Sequence, residues 1–249
     1  MIKGRMFFVW VVLVAGAADI PAASISESFD AGVDPGLWTT FTDHDLWSVE
    51  APDSMGRLKV SKPADDDQST ANDGLAAGIR SVFRLDGDFV ASVDFNLLVF
   101  PPGGLGLNEA YLEARALNTD ATFASLRAVT GNGEQIAEGW TDLPVREPLG
   151  QVADDTMVGR LEIRRTGETM TALIDRGQGM VVLGSASDPG LLGPMEISIF
   201  GKQMWHIYSG VRAFTEFDAR FDNFFAVPEP CTLVLLGVGG LALLRRERK

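Results

Sequence analysis

The chain has 249 residues, with 21 lysines and arginines against 34 aspartates and glutamates, a formal net charge of −13, two histidines and one cysteine. A surface this acidic repels nucleic acid and anionic lipid headgroups. One cysteine cannot form an internal disulfide or a cysteine-based zinc site, and two histidines cannot make a three-histidine metal centre.

The chain opens with Lys3 and Arg5, a continuous apolar run from Met6 to Ala18, and small-residue cleavage contexts at Ile20-Pro21-Ala22 and Pro21-Ala22-Ala23. This is the layout of a secretory signal peptide over residues 1–23, with a signal helix. No Leu-x-x-Cys lipoprotein pattern accompanies it, because the cysteine is Cys231.

Residues 24–226 are long enough for one domain with a substantial core. They keep 31 of the acids and 15 of the bases, a net of −16, and no cysteine, so apolar burial must hold the fold together. Alternating or β-rich runs recur at Phe89–Phe95, Tyr111–Leu117, Phe123–Val129, Leu161–Arg164, Met170–Ile174 and Met195–Phe200. Turn signals divide them at Asp86-Gly87-Asp88, Gly131-Asn132-Gly133, Thr166-Gly167-Glu168, Arg176-Gly177-Gln178-Gly179 and Asp188-Pro189-Gly190. Thr166-Gly167-Glu168-Thr169 predicts a hairpin. Pro63 to Ser69, Pro101 to Gly104, Leu143 to Pro148 and Gln151 to Thr156 read as loops, and no internal repeat is present. Many short strands between turns predict an all-β antiparallel sandwich.

The chain ends with Val227-Pro228-Glu229-Pro230-Cys231, an uncharged run from Thr232 to Leu244, and Arg245-Arg246-Glu247-Arg248-Lys249. As a helix the run spans roughly 20 Å, short of the ~30 Å hydrocarbon core, a gap that snorkelling arginines and local thinning can close. Arg245, Arg246, Arg248 and Lys249 form a basic stop that stays cytoplasmic, which places everything before Val227 across the inner membrane.

This tail resembles the PEP-CTERM sorting signal, also catalogued as the ice-binding protein C-terminal motif, a name that does not imply ice binding. The signal marks exported proteins of Gram-negative bacteria that make exopolysaccharide. The resemblance implies that Val227, Pro228, Glu229 and Pro230 are recognised by an exosortase, a membrane cysteine protease-transpeptidase. The protein would be anchored transiently in the inner membrane and then passed to the cell surface or matrix. The expected organisation is a signal peptide at 1–23, a sandwich at 24–226 and a sorting signal with a short transmembrane helix at 227–249. Cys231 stands where Ala or Ser is commoner.

A second resemblance covers most of 26–227. Ser28-Phe29-Asp30, Leu37-Trp38, Trp47-Ser48-Val49, Gly56-Arg57-Leu58-Lys59-Val60, Gly87 to Phe95, Leu161 to Ala172 and Ala219-Arg220-Phe221-Asp222-Asn223-Phe224 follow one another as in the concanavalin A-like lectin/glucanase jelly roll. In that fold the first and last strands pair, which would bring Phe29-Asp30 near Phe221-Asp222-Asn223.

Signs of catalysis are sparse. Glucanases of this fold commonly carry Glu-x-Asp-x-x-Glu on one strand, because alternate residues share a face. The string does not occur; Glu109 with Glu113 and Asp88 with Asp94 are the nearest pairs. There is no Gly-x-Ser-x-Gly, and the glycine clusters do not lead from strand to helix, so neither a nucleophile elbow nor a phosphate loop is expected. The expectation is a non-catalytic carbohydrate-binding or structural module, with a glycoside hydrolase that uses an unfamiliar carboxylate pair as the alternative.

Calcium takes oxygen ligands, and jelly rolls of this type often bind a structural calcium. Asp30 with Asp222 is the candidate pair, with turn hydrogen bonds as the competing reading. The Asp65-Asp66-Asp67 run reads as solvated charge. Among the tryptophans, Trp38 and Trp47 read as core. Trp140 and Trp205 lie in or beside predicted loops and are the candidate platforms for an extracellular polysaccharide, with His206 and Arg212 as polar neighbours and burial as the competing reading.

Overall fold

The computed structural model describes residues 24–67, 74–102, 104, 106–143, 146–205 and 211–228. They form fifteen strands and one 3-10 turn, Pro189–Leu191. In chain order the strands are β1 Ile25–Glu27, β2 Trp38–Thr42, β3 Ser48–Glu50, β4 Leu58–Lys62, β5 Leu75–Ser81, β6 Phe89–Val99, β7 Gly106–Ala116 and β8 Thr122–Val129. There follow β9 Gln135–Asp142, β10 Arg146–Ala153, β11 Val158–Thr166, β12 Thr169–Asp175, β13 Met180–Ser187, β14 Met195–Trp205 and β15 Phe217–Pro228. Two antiparallel sheets face each other. One is ordered β13-β12-β11-β6-β15-β4-β3, with β1 also on β15; the other is β10-β9-β8-β7-β14-β5-β2. This is the expected antiparallel sandwich, consistent with a jelly roll.

The alternation expected of a half-buried strand is plain in β6, where Phe89, Ala91, Val93, Phe95 and Leu97 are buried and Val90, Asp94, Asn96 and Leu98 face outward. The core between the sheets is rich in aromatic rings. Trp38 meets Phe83 and Phe224 edge-on at 5.3 and 4.8 Å, and Trp47 meets Phe217 at 5.3 Å. Both tryptophans are core, as expected. Gly201, in the middle of β14, leaves room for this packing: a Cβ there would lie 2.4 Å from the Phe217 ring and 3.2 Å from Trp47.

The first and last strands do pair, with Ile25 opposite Ala226 and Glu27 opposite Phe224. The predicted hairpin joins β11 to β12 through Gly167-Glu168, with Thr166 opposite Thr169 and Gly167 at φ 58°.

Two loop assignments and one reading of charge differ. Arg146–Ala153, read as connecting chain, is the edge strand β10; its Pro148 is tolerated because it sits on an edge beside a register shift. Trp140, read as lying in or beside a loop, is inside β9. Asp65, read as solvated charge, is buried against Lys62 and Arg212. β5 gives no alternation because it is covered on both faces.

The signal helix and the C-terminal transmembrane helix fall outside the described residues. Among the described residues no helix is long and apolar enough to cross a membrane.

Candidate functional site

The outer face of the seven-stranded sheet is a second, smaller apolar surface that the other sheet does not cover. Ala76, Tyr111, Ala124, Leu126, Ala128, Ile136 and Phe200 form it, with Phe41 and Trp140 packed against them. Strand register sets these side chains in rows. One row runs from Glu138 on β9 through Leu126, Tyr111 and Phe200 to Gly78 and Phe41. The next runs from Trp140 through Ala124, Glu113 and Ser198 to Arg80. A third crosses Ile136, Ala128, Glu109, Lys202 and Ala76.

The first row is built around ring contacts. Tyr111 stacks on Phe200 with centroids 4.5 Å apart and planes 6° from parallel, and Phe200 meets Phe41 at 6.0 Å. Gly78 makes this possible: a Cβ there would fall 2.5 Å from the Phe200 Cβ and 2.2 Å from the Ile199 carbonyl. Arg80 lies over the Phe41 ring and pairs with Glu196 at 3.0 Å.

Carboxylates hold the rings from below. The Tyr111 hydroxyl donates to Glu109 Oε2 at 2.8 Å, and the Trp140 indole N–H donates to Glu138 Oε2. Glu109 and Glu138 are 2% and 7% exposed. Beside them lies a hollow of about 220 Å³, lined by Tyr111, Glu113, Thr122, Ala124, Trp140, Thr141, Asp142 and Lys202. It has two aromatic walls, two threonines, two carboxylates and one ammonium. Ring faces suit the C–H face of a pyranose, and the rim supplies both acceptors and donors for hydroxyls.

The expected site residues scatter. Trp140 lies in this hollow. Trp205 is the last residue of β14, opposite Gly106, and its side chain and His206 lie outside the described residues. Arg212 is fully buried: it forms a two-pronged pair with Asp65 and donates to Gln203 Oε1 and the Ala213 carbonyl. Its guanidinium therefore serves the interior rather than the hollow. Tyr111 and Lys202 carry no local signal, and Glu113 shows in the sequence only as half of a carboxylate pair, because only the cross-strand register brings the three to Trp140. The spacing of four between Glu109 and Glu113 puts both on the outer face of β7, on either side of Tyr111.

Asp30 and Asp222 lie within electrostatic reach of each other. Burial, and then the charges of Asp30 and Asp94, push the Asp222 carboxyl up. Asp94 already accepts from Arg160 at 2.6 Å and Asn223 at 3.0 Å, and Asp222 Oδ1 accepts from the Asn223 amide at 2.7 Å. Among the described residues no group of three or more histidine, cysteine, aspartate or glutamate side chains could hold a metal ion.

The PEP-CTERM protein-sorting motif matches residues 226–249. No protein of curated function matches the chain in sequence. The fold is shared with solved concanavalin A-like glucanases. A Bacillus licheniformis beta-glucanase is 14% identical, with TM-score 0.57, over 83% of this chain and 98% of its own. A laminarinase from Flavobacterium sp. UMI-01 is 10% identical, with TM-score 0.57, over 82% and 98%. A structure from human gut microbiota that express endo-acting O-glycanases to initiate mucin breakdown is 13% identical, with TM-score 0.60, over 83% and 99%. The tail is thus a PEP-CTERM sorting motif, which suggests export and exosortase sorting, and the sandwich has a fold used by carbohydrate-active enzymes.

Proposed function

We propose that the protein is exported, processed at its sorting motif by an exosortase, and retained at the cell surface or in the polysaccharide matrix. There the outer face of the seven-stranded sheet binds a glycan without cleaving it. The observation that carries this reading is the pairing of Trp140 with the Tyr111–Phe200 stack around one polar-rimmed hollow. Glu109 and Glu138 are both buried and both accept from an aromatic side chain, which suits anchoring of the rings better than attack on a sugar. A calcium ion between Asp30 and Asp222 belongs to the same reading, as a charge neutraliser where the first and last strands meet. The test is retention of the exported protein on immobilised polysaccharides, including that of its own cells, alongside a Trp140→Ala variant. Retention lost with the ring supports the site; no retention on any polysaccharide removes the binding half.

One observation favours a second reading, a glycoside hydrolase: Glu109 and Glu113 face the same side of one strand. Hydrolysis needs two carboxyl groups roughly 5–9.5 Å apart. Release of reducing ends by the wild type, abolished in Glu113→Gln, would replace the binding reading with this one.

A further inference from the structure

The sorting motif does not begin beyond the folded domain. β15 runs on to Pro228, so Val227 and Pro228 are already in the sheet, opposite Val90 and Phe89 of β6. Phe89 is fully buried and lies under the Arg165 guanidinium at 5.0 Å, so this end of β6 is well anchored. On the other side of β15, β1 covers Phe224 to Ala226 and stops. Among the described residues, Val227 and Pro228 are therefore held from one side only. The strand becomes doubly flanked at Ala226.

Only Glu229, Pro230 and Cys231 separate Pro228 from the apolar run that starts at Thr232. Fully extended, three residues span about 10 Å. The headgroup layer takes about 5–7 Å of that. If the run enters the membrane, as the sorting reading has it, so short a reach would hold the rim of the sandwich that carries Pro228 close to the headgroups. Ile25 lies opposite Ala226, so the N-terminal end of the domain leaves from the same rim. A protease must take its substrate as an extended strand, and here two of the four motif residues, Val227 and Pro228, are in use as a sheet strand.

We propose that the sorting protease meets the protein at this rim, and that it takes up Pro228-Glu229-Pro230 only after Val227 and Pro228 unzip from β6. This rests on the exosortase reading above. Opening is confined to two residues, because β1 clamps the strand at Ala226. It releases about 7 Å of extra chain, enough to lift the motif off the rim. The fold thereby sets the sorting rate through the stability of one strand end.

Two variants test this in cells that carry the sorting protease, with Cys231→Ser as the reference so that no native thiol competes. Val90→Cys with Val227→Cys joins two directly opposed residues, whose Cα separation of about 4.5–5.5 Å in an antiparallel pair is within disulfide range. An insertion of six glycines and serines between Ala226 and Val227 does the reverse and frees the whole motif from the sheet. The oxidised double variant is expected to be processed about tenfold more slowly or worse, with recovery on reduction. The insertion is expected to be processed about tenfold faster, the factor that two strand-end hydrogen bonds represent. Equal rates in the oxidised double variant and the reference, or no gain from the insertion, overturn the gating while leaving the sorting reading intact. A reference that is never processed overturns the sorting reading itself, and the gating with it.

Discussion

Arg212 grips Asp65 with both prongs of its guanidinium, Nη2 to Oδ1 at 2.6 Å and Nη1 to Oδ2 at 3.1 Å, although 147 residues separate them. Lys62 reaches the same carboxylate and also donates to the Pro63 carbonyl at 2.8 Å. Two buried cations thus share one anion. Gln203, Asn108 and Thr215 extend the network by hydrogen bonds of 2.8 Å. The pair closes one end of the sandwich, where it ties the loop after β4 to the segment before β15.

Breaking this pair leaves uncompensated charge in the interior. Asp65→Ala is expected to destabilise the fold by about 3–5 kcal/mol, read by denaturant unfolding. The pH dependence follows from the same contacts. Burial would raise the Asp65 carboxyl, but hydrogen bonds from Arg212, Lys62 and the Asp67 amide outweigh it and hold the group at about 2. A lowered folded value means that the stabilisation is present above the unfolded carboxylate range, near pH 4, and is lost as the pH falls towards 2. The wild type should lose more stability than Asp65→Ala between pH 5 and pH 2.

Asp222 has the opposite sign. Its carboxyl is pushed up by burial and by Asp30 and Asp94, so the ionised form is a cost at neutral pH. That cost is absent below the unfolded carboxylate value and grows as the pH rises through the folded one. In the presence of chelator, Asp222→Asn should raise the Tm at pH 7 and lose the advantage near pH 3. Calcium should raise the Tm of the wild type and leave Asp222→Asn unmoved. A wild-type Tm indifferent to calcium would remove the ion from the proposed function.

Trp140→Ala should abolish polysaccharide retention while the Tm falls by only a few degrees, because the ring is half-buried on an outer face. Tyr111→Phe keeps the stack on Phe200 but deletes the hydroxyl that Glu109 accepts. It should leave the Tm lower by an amount equivalent to about 1–3 kcal/mol, since it deletes a buried hydrogen bond to a carboxylate. Calorimetry on both variants beside the retention assay separates the ring that binds from the ring that supports.

Gly201→Ala is expected to destabilise by about 1–3 kcal/mol or to fail to fold, because the added methyl meets the Phe217 ring at 2.4 Å in a core with no room to yield. Gly167→Ala, at a turn where nothing lies within 4 Å of the added carbon, should cost less and act only through its φ of 58°. Parallel thermal melts distinguish crowding from backbone strain.

The sequence by itself determined the class and carried the sorting motif. Period-two alternation in stretches such as Phe89–Phe95 is a local consequence of the pleat, and a turn such as Thr166-Gly167-Glu168 is decided by its own residues, so both can be read without a structure. The sorting motif is a contiguous string and equally legible. Covered strands were less so: β5 lacks alternation because both faces are buried, and β10 carries a proline that only an edge tolerates. The hollow was decided wholly by tertiary register. Trp140, Ala124 and Glu113 are neighbours because β9, β8 and β7 pair one particular way, and a slip of one residue would turn all three inward. The same holds for Arg212, which a reading by residue type assigns to a surface. Its partner is too distant in sequence for any local pattern to reveal, and only the closed sandwich shows that its charge belongs inside.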